Sequence, residues 1–181
     1  MWGDGGVYGA WAQTMDRWAR SEPIDPSALP PLAPEYFDAG TWARLADRIT
    51  TAVSERLITW AGVTSRSLGA AGDEFATARA LTQARTGLRA VRAMAVLPQL
   101  PEELRTRLLA LVDEQVREAQ RQLERQAAAD LGGRDRRFAE QRLRTIRDNG
   151  LTAVLAEAPA PSATDGWLGA TTPPRRIVDP G

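Results

Sequence analysis

The sequence predicts an all-α protein: an antiparallel bundle of about four helices with an extended Pro-rich N-terminal arm and a disordered C-terminal tail. Apolar residues recur every three or four positions across the middle of the 181-residue chain, which is the period of a helix face. The 12 prolines gather toward the two ends, and no run of residues alternates as a strand does. We therefore divide the chain into an arm (1–40), a helical bundle (41–157) and a tail (158–181).

The first predicted helix, residues 5–20, carries an apolar face. Its members are spaced 3, 4 and 3 residues apart, so they share one side of the helix: Tyr8, Trp11, Met15 and Trp18. Such a face docks on the chain's own core, on another subunit or partner, or on a membrane surface. Docking is favoured over a membrane because the polar side lacks a basic excess. We treat the four residues as candidate partner-binding residues.

Residues 22–37 contain five prolines, which do not fit inside a helix or a central strand. This segment is predicted to be an extended, polyproline-like spacer whose apolar residues lie along a groove. The first 40 residues hold two arginines and six acids, so the arm has a net charge of −4. An acidic arm of this kind could reach a basic segment in a neighbouring copy.

Four further helices follow from apolar periodicity and from residues that begin or end helices. Asp38 or Thr41 begins a helix that ends near residues 66–69, and Asp73 caps a second one that Pro98 ends. The third and longest covers about 101–131.

The end of the predicted bundle contains glycines at two junctions. Gly132 and Gly133 interrupt the long helix as either a hinge or a turn, which decides between a rod and a compact hairpin. A fourth helix covers about 134–148, and Asn149 with Gly150 resembles a left-handed C-cap. A short helical turn is predicted at 151–157.

The residue types that are missing exclude most catalytic chemistry. The chain has no Cys, no His and no Lys, so all 23 of its cationic side chains are arginines. It therefore cannot build a Ser-His-Asp triad, a zinc site of Cys or His ligands, or a phosphate-loop lysine. Adjacent acids such as Glu102 and Glu103 diverge on a helix and do not form a catalytic pair. We expect no enzyme activity, no cofactor and no metal ion.

A row of arginines lies along the second helix of the predicted bundle. Arg85, Arg89 and Arg92 stand at positions i, i+4 and i+7, and residues 75–100 contain no acid. Three guanidinium groups on one face can hold the phosphates of a nucleotide or a nucleic acid, so these residues are a candidate anion site. The alternative is that they pair with acids elsewhere in the bundle, such as those at positions 55, 114 and 118.

The tail contains one apolar pair, Trp167 and Leu168, in otherwise polar and Pro-rich surroundings. Short segments of this kind dock into grooves of other proteins. Because a tryptophan is costly to leave in water, we treat this pair as candidate partner-binding residues as well.

Together these features predict a non-catalytic α-helical interaction or structural protein. It would self-associate as a homo-oligomer, or serve another protein as an accessory subunit, through its arm, long helices and tail. The alternative is a regulatory protein that binds an anionic ligand through the arginine row. A nucleic acid or nucleotide is the less favoured partner, because the isoelectric point is about 6.4 and no reading motif is present. No apolar stretch is long enough for a membrane span, and the absence of a signal-like start favours the cytoplasm.

Overall fold

The computed structural model describes residues 4–133 and 135–159, and these residues form helices and turns without a strand. The predicted all-α class is therefore confirmed for the described residues. The α-helices are α1 (Asp4–Ala19), α2 (Ala39–Gly69), α3 (Glu74–Ala95), α4 (Glu102–Ala129) and α5 (Arg136–Asp148). Short 3-10 turns occupy Pro26–Ala28, Pro34–Tyr36, Asp130–Gly132 and Leu151–Ala156. None of the helices in these ranges has both the length and the apolar composition that crossing a bilayer requires.

Aspartates begin three of these helices, because a carboxylate before the first turn accepts a backbone N–H that lacks a helical partner. Asp38 accepts from the amide of the third residue that follows it at 2.9 Å, Asp73 does so at 2.7 Å, and Asp135 at 3.1 Å. Asp38 rather than Thr41 is therefore the cap of α2, and the hydroxyl of Thr41 also donates to Asp38, at 2.7 Å.

Packing brings the helices together around one apolar core. Helix α2 contacts α1, α3 and α4, while α5 contacts α3 and α4. Gln120 of α4 lies beside Ile146 near the end of α5, whereas Asp130 lies beside Arg142 farther toward its start. Helices α4 and α5 therefore run in opposite directions, and the Gly132–Gly133 junction is a turn rather than a hinge within one rod.

The apolar face of α1 is used inside the chain. Trp11, Met15 and Trp18 are fully buried in the core, and Tyr8 packs against it while partly exposed. The indole N–H of Trp11 donates to the carbonyl oxygen of Pro30 at 3.0 Å. The chain's own core, one of the alternatives considered above, therefore covers the three buried side chains, and they present no surface to a partner.

The Pro-rich segment differs from the extended, polyproline-like spacer that we predicted. It contains two 3-10 turns, each with a proline at its first position, where the fixed backbone angle of proline suits a helical turn. Its backbone is also held on the body of the protein. The amide of Leu32 donates to the carbonyl of Gln99 at 2.7 Å, and the side-chain amide of Gln99 donates to the carbonyl of Pro26 at 3.2 Å.

The end of α5 also differs from the prediction of a left-handed C-cap. Asn149 has a φ of −124° and Gly150 a φ of −67°, so neither adopts the left-handed conformation. The buried side chain of Gln120 takes over the role of the cap. Its Nε2 donates to the carbonyl of Ile146 at 3.0 Å, and its Oε1 accepts the amide of Leu151 at 2.8 Å. The predicted helical turn at 151–157 is confirmed as the Leu151–Ala156 turn.

Candidate functional site

The three arginines of the predicted row all bind the segment that follows α5, which we call the strap (residues 149–157). Arg85 donates from Nη1 to the carbonyl of Asn149 at 2.7 Å. Arg89 donates from Nε and Nη2 to the two carboxylate oxygens of Glu157, both at 2.7 Å. Arg92 donates from Nη1 to the carbonyls of Val154 and Glu157, the latter at 3.0 Å. The row thus binds an anion and several carbonyls that belong to the chain itself.

The strap lies against α3 and also covers part of the apolar core. Leu151 and Val154 are fully buried, and the strap contacts both α3 and α4. Burying two such side chains contributes about 1.5–3 kcal/mol each. The arginine contacts therefore act together with apolar burial, and the row is a structural element of this part of the fold.

Arg92 is the buried member of the row, with 5% of its surface exposed. Its Nε lies 3.6 Å from Oδ1 of Asp113, whose side chain is 26% exposed. Neither of these two atoms has a hydrogen-bond partner among the described residues. The pair is held by charge rather than by a direct hydrogen bond, and it links α3 to α4 beneath the strap.

The partners of the row are not the acids at positions 55, 114 and 118 that the sequence suggested. Glu118 instead accepts hydrogen bonds from Arg121 at 2.7 Å and from Arg125 at 2.9 Å, all on α4. The acids that the row does meet are Glu157 of the strap, which binds Arg89, and Asp113 of α4, which lies 3.6 Å from Arg92. Glu157 reaches the row only because α5 and the strap fold over α3. The choice of partners was therefore wrong, although pairing within the chain is what the structure contains.

The pKa shifts of the carboxyl groups indicate whether any of them could act as a general acid. The Arg89 hydrogen bonds hold the pKa of Glu157 below its usual value, and they raise the pKa of Arg89. In the described ranges, every carboxyl group whose pKa clearly departs from its usual value is shifted downward, chiefly by hydrogen bonds to its charged form. The others are Asp16, Glu22, Asp25, Asp38 and Glu118. These groups are ionised at neutral pH, whereas a general acid needs a raised pKa.

The arginines of α5 differ in whether they contact an acid among the described residues. Arg136 pairs with Glu140 at 2.7 Å, and Arg142 reaches Asp130 at 3.5 Å and also donates to the carbonyl of Leu68. The remaining arginines of the helix are exposed, and none of them pairs with an acid in the part of the chain that the structure describes. They are Arg137, Arg144 and Arg147.

The structure does not join the candidate residues into one site. The aromatic face of α1 lies in the core, the arginine row lies under the strap, and Trp167 and Leu168 lie outside the described residues. Gln120, which we did not predict as a site residue, interrupts an apolar helix face of α4 between Val116 and Leu123. A polar residue at a core position of a helix indicates a side chain that needs buried hydrogen-bond partners, and this pattern could have identified Gln120.

Two further results concern what the chain could bind. No group of three or more acidic residues in the described ranges is arranged to hold a metal ion. Comparison of the chain with protein-family models, with curated proteins and with solved structures finds no match.

Proposed function

We propose that the protein is a non-catalytic α-helical interaction protein, which self-associates or serves as an accessory subunit of a larger assembly. The proposed architecture is an antiparallel bundle of α2 to α5, on which the described part of the arm before α2, residues 4–38, is docked. The lowered carboxyl pKa values support a structural use of the charged residues rather than acid–base catalysis. A cytoplasmic location is part of the same proposal, since a chain without cysteine needs no oxidising compartment.

The observation that carries the proposal is the set of exposed arginines on α5. Arg137, Arg144 and Arg147 bind no acid within the described ranges, whereas the arginine row of α3 is fully engaged. Arginine is enriched in protein interfaces, because its planar group forms two parallel hydrogen bonds with a carboxylate. A partner that meets this face therefore presents carboxylates to it.

A second copy of the chain offers such carboxylates. Helix α4 carries Glu102, Glu103 and Glu114 in exposed positions, and none of them is in an ion pair among the described residues. A chain with no net charge and with unpaired groups of both signs is suited to binding another copy of itself. The predicted exchange of the acidic arm is less well supported, because Asp16 binds Arg48 and Glu22 binds Arg17 and Arg20 within the chain.

A regulatory role through the arginine row is the weaker candidate. An anionic ligand at Arg85, Arg89 and Arg92 has to displace Glu157 and the strap carbonyls, and it then leaves Leu151 and Val154 to be covered in another way. We therefore place the contact surface on α5 and assign the row the role of binding the strap.

The test is the molar mass in solution, measured by size-exclusion chromatography with light scattering. We expect an oligomer that dissociates when Arg137, Arg144 and Arg147 are all replaced by Gln. The matched control replaces three exposed arginines on other helices, Arg44, Arg66 and Arg117, by Gln, and it should leave the molar mass unchanged. Added salt should weaken the wild-type oligomer, because exposed charges are screened.

Two results contradict this proposal. A wild-type chain that is monomeric at all concentrations and salt levels excludes self-association through α5. An oligomer that both triple variants dissociate equally shows a general charge effect and no specific surface.

A further inference from the structure

The outer face of α3 has an exposed aromatic residue at its start. Phe75 is 72% exposed, the highest value among the large hydrophobic side chains of the described ranges. The guanidinium carbon of Arg79 lies 5.1 Å from the centroid of its ring, which is cation–π geometry. Thr82 and Thr86 continue the same exposed face, because their spacings of three and four residues follow the helix.

The described part of the chain ends beside this helix. Glu157 is bound to Arg89 by two hydrogen bonds, so residue 157 is held on the side of α3, with Arg85 and Arg92 binding the strap on either side. The sequence continues for 22 further residues, 160–181, which lie outside the described ranges. Whatever the position of these residues, they start next to α3.

The length of the remaining chain is sufficient to reach Phe75. Arg89 and Phe75 are 14 residues apart on α3, which corresponds to about 21 Å along the helix at about 1.5 Å per residue. Trp167 comes ten residues after Glu157, and ten residues span at most about 35 Å. A peptide leaving Glu157 toward the start of α3 therefore places Trp167 over Phe75 without being fully extended.

The chemistry of the segment matches the face that it can reach. Trp167 and Leu168 are its aromatic and aliphatic pair, and Asp165 precedes the tryptophan by two residues. An indole ring that stacks on Phe75 removes both rings from water, and Arg79 can stack on either ring. Asp165 then lies within reach of the same guanidinium group, which pairs with no acid among the described residues.

We propose that the C-terminal segment of the same chain docks on the outer face of α3, with Trp167 and Leu168 covering Phe75 and Asp165 facing Arg79. This contact does not depend on the function proposed for α5, because it uses another helix and other residues. In this proposal the Trp167–Leu168 pair binds its own chain rather than a partner protein.

Paramagnetic relaxation in NMR tests this contact on the full chain. The chain contains no cysteine, so Thr82→Cys can carry a single nitroxide label on the outer face of α3. The six tryptophans each have an indole N–H, and the signal of Trp167 is identified by its absence in Trp167→Phe. We expect the label at position 82 to remove most of the Trp167 intensity. The same label on Thr51→Cys, an exposed position of α2, should leave the intensity of the Trp167 signal unchanged.

A pair of matched substitutions then tests the docking residue. Phe75→Ser should restore the Trp167 signal, whereas Ile58→Ser, which removes a side chain of nearly equal exposure (71%), should not. Mixing nitroxide-labelled chains with isotope-labelled, nitroxide-free chains distinguishes the same chain from a second copy.

Three results overturn the proposal. One is equal loss of the Trp167 signal with labels at positions 82 and 51. Another is loss that persists in Phe75→Ser. The third is loss in the mixed sample, which identifies the tail of a second copy as the occupant.

Discussion

The carboxylate of Glu157 accepts two hydrogen bonds of 2.7 Å from the guanidinium group of Arg89, although 68 residues separate the two along the chain. Together with the contacts of Arg85 and Arg92, these two hydrogen bonds hold the strap against α3. A row of arginines that resembles a ligand site in the sequence thus binds the chain's own strap.

The Arg89–Glu157 pair should make stability depend on acidity. The pKa of folded Glu157 lies below the ordinary value of 4.5, so the charged pair stabilises the fold above about pH 4.5 and loses this effect as the pH falls further. Urea unfolding of the wild type and of Glu157→Gln at several pH values measures the stabilisation by this pair. Their difference in unfolding free energy should shrink as the pH drops below about 4.5. Glu114→Gln removes an exposed carboxylate outside the row and is the control; a difference that shrinks equally there contradicts the prediction.

Arg92 should matter far more for stability than Arg89. Replacing Arg92 by Met leaves Asp113 without its partner in a largely buried position, which costs about 3 kcal/mol. Arg89→Met removes an exposed ion pair, which solvent screens, and should lower the unfolding free energy far less. Urea unfolding at neutral pH separates the two. Equal losses of unfolding free energy in the two variants would contradict the prediction, because the buried Arg92–Asp113 pair would then stabilise the fold no more than the exposed one.

Gly150 should tolerate no side chain. A Cβ at this position would lie 2.6 Å from both the carbonyl oxygen of Ile146 and Nε2 of Gln120, so the junction between α5 and the strap must shift. We expect Gly150→Ala to lower the unfolding free energy by about 1–3 kcal/mol. Gly9→Ala on α1 meets nothing within 4 Å and should instead add about 0.5–1 kcal/mol. Thermal unfolding of the two variants should therefore shift in opposite directions.

Trp11 should hold the Pro-rich segment in place. Trp11→Phe keeps an aromatic ring but leaves the buried carbonyl of Pro30 without its donor, which costs about 1–3 kcal/mol. The amide of Leu32, which is bonded to Gln99, should then exchange its hydrogen faster. Trp42→Phe, at a partly buried ring that stacks on Phe37, is the control. Unchanged exchange at Leu32 in Trp11→Phe would show that the segment is held without this bond.

Local sequence signals were sufficient for the helices and for most of their ends. Asp38 and Asp73 could be predicted as caps because a short carboxylate before a helical run finds free amides within three residues. Asp135 was not predicted as a cap, because α5 was expected to begin at about residue 134. The all-helical class follows in the same way from periodicity, since every contact it requires is local. The Pro-rich segment was predicted less well, because proline fits both an extended chain and the first position of a 3-10 turn, and the contacts with Gln99 select between them.

The sequence alone determined which residues face inward: Trp11, Met15 and Trp18 share one side of α1 wherever that helix packs. Only the tertiary structure decided what they pack on, and it also decided that the arginine row binds Glu157 and that Gln120 caps α5. The physical reason is the range of the interactions. A helix face and a cap depend on residues within one or two turns, whereas the partner of a guanidinium group or a buried amide is whichever distant segment the packing brings within about 3 Å.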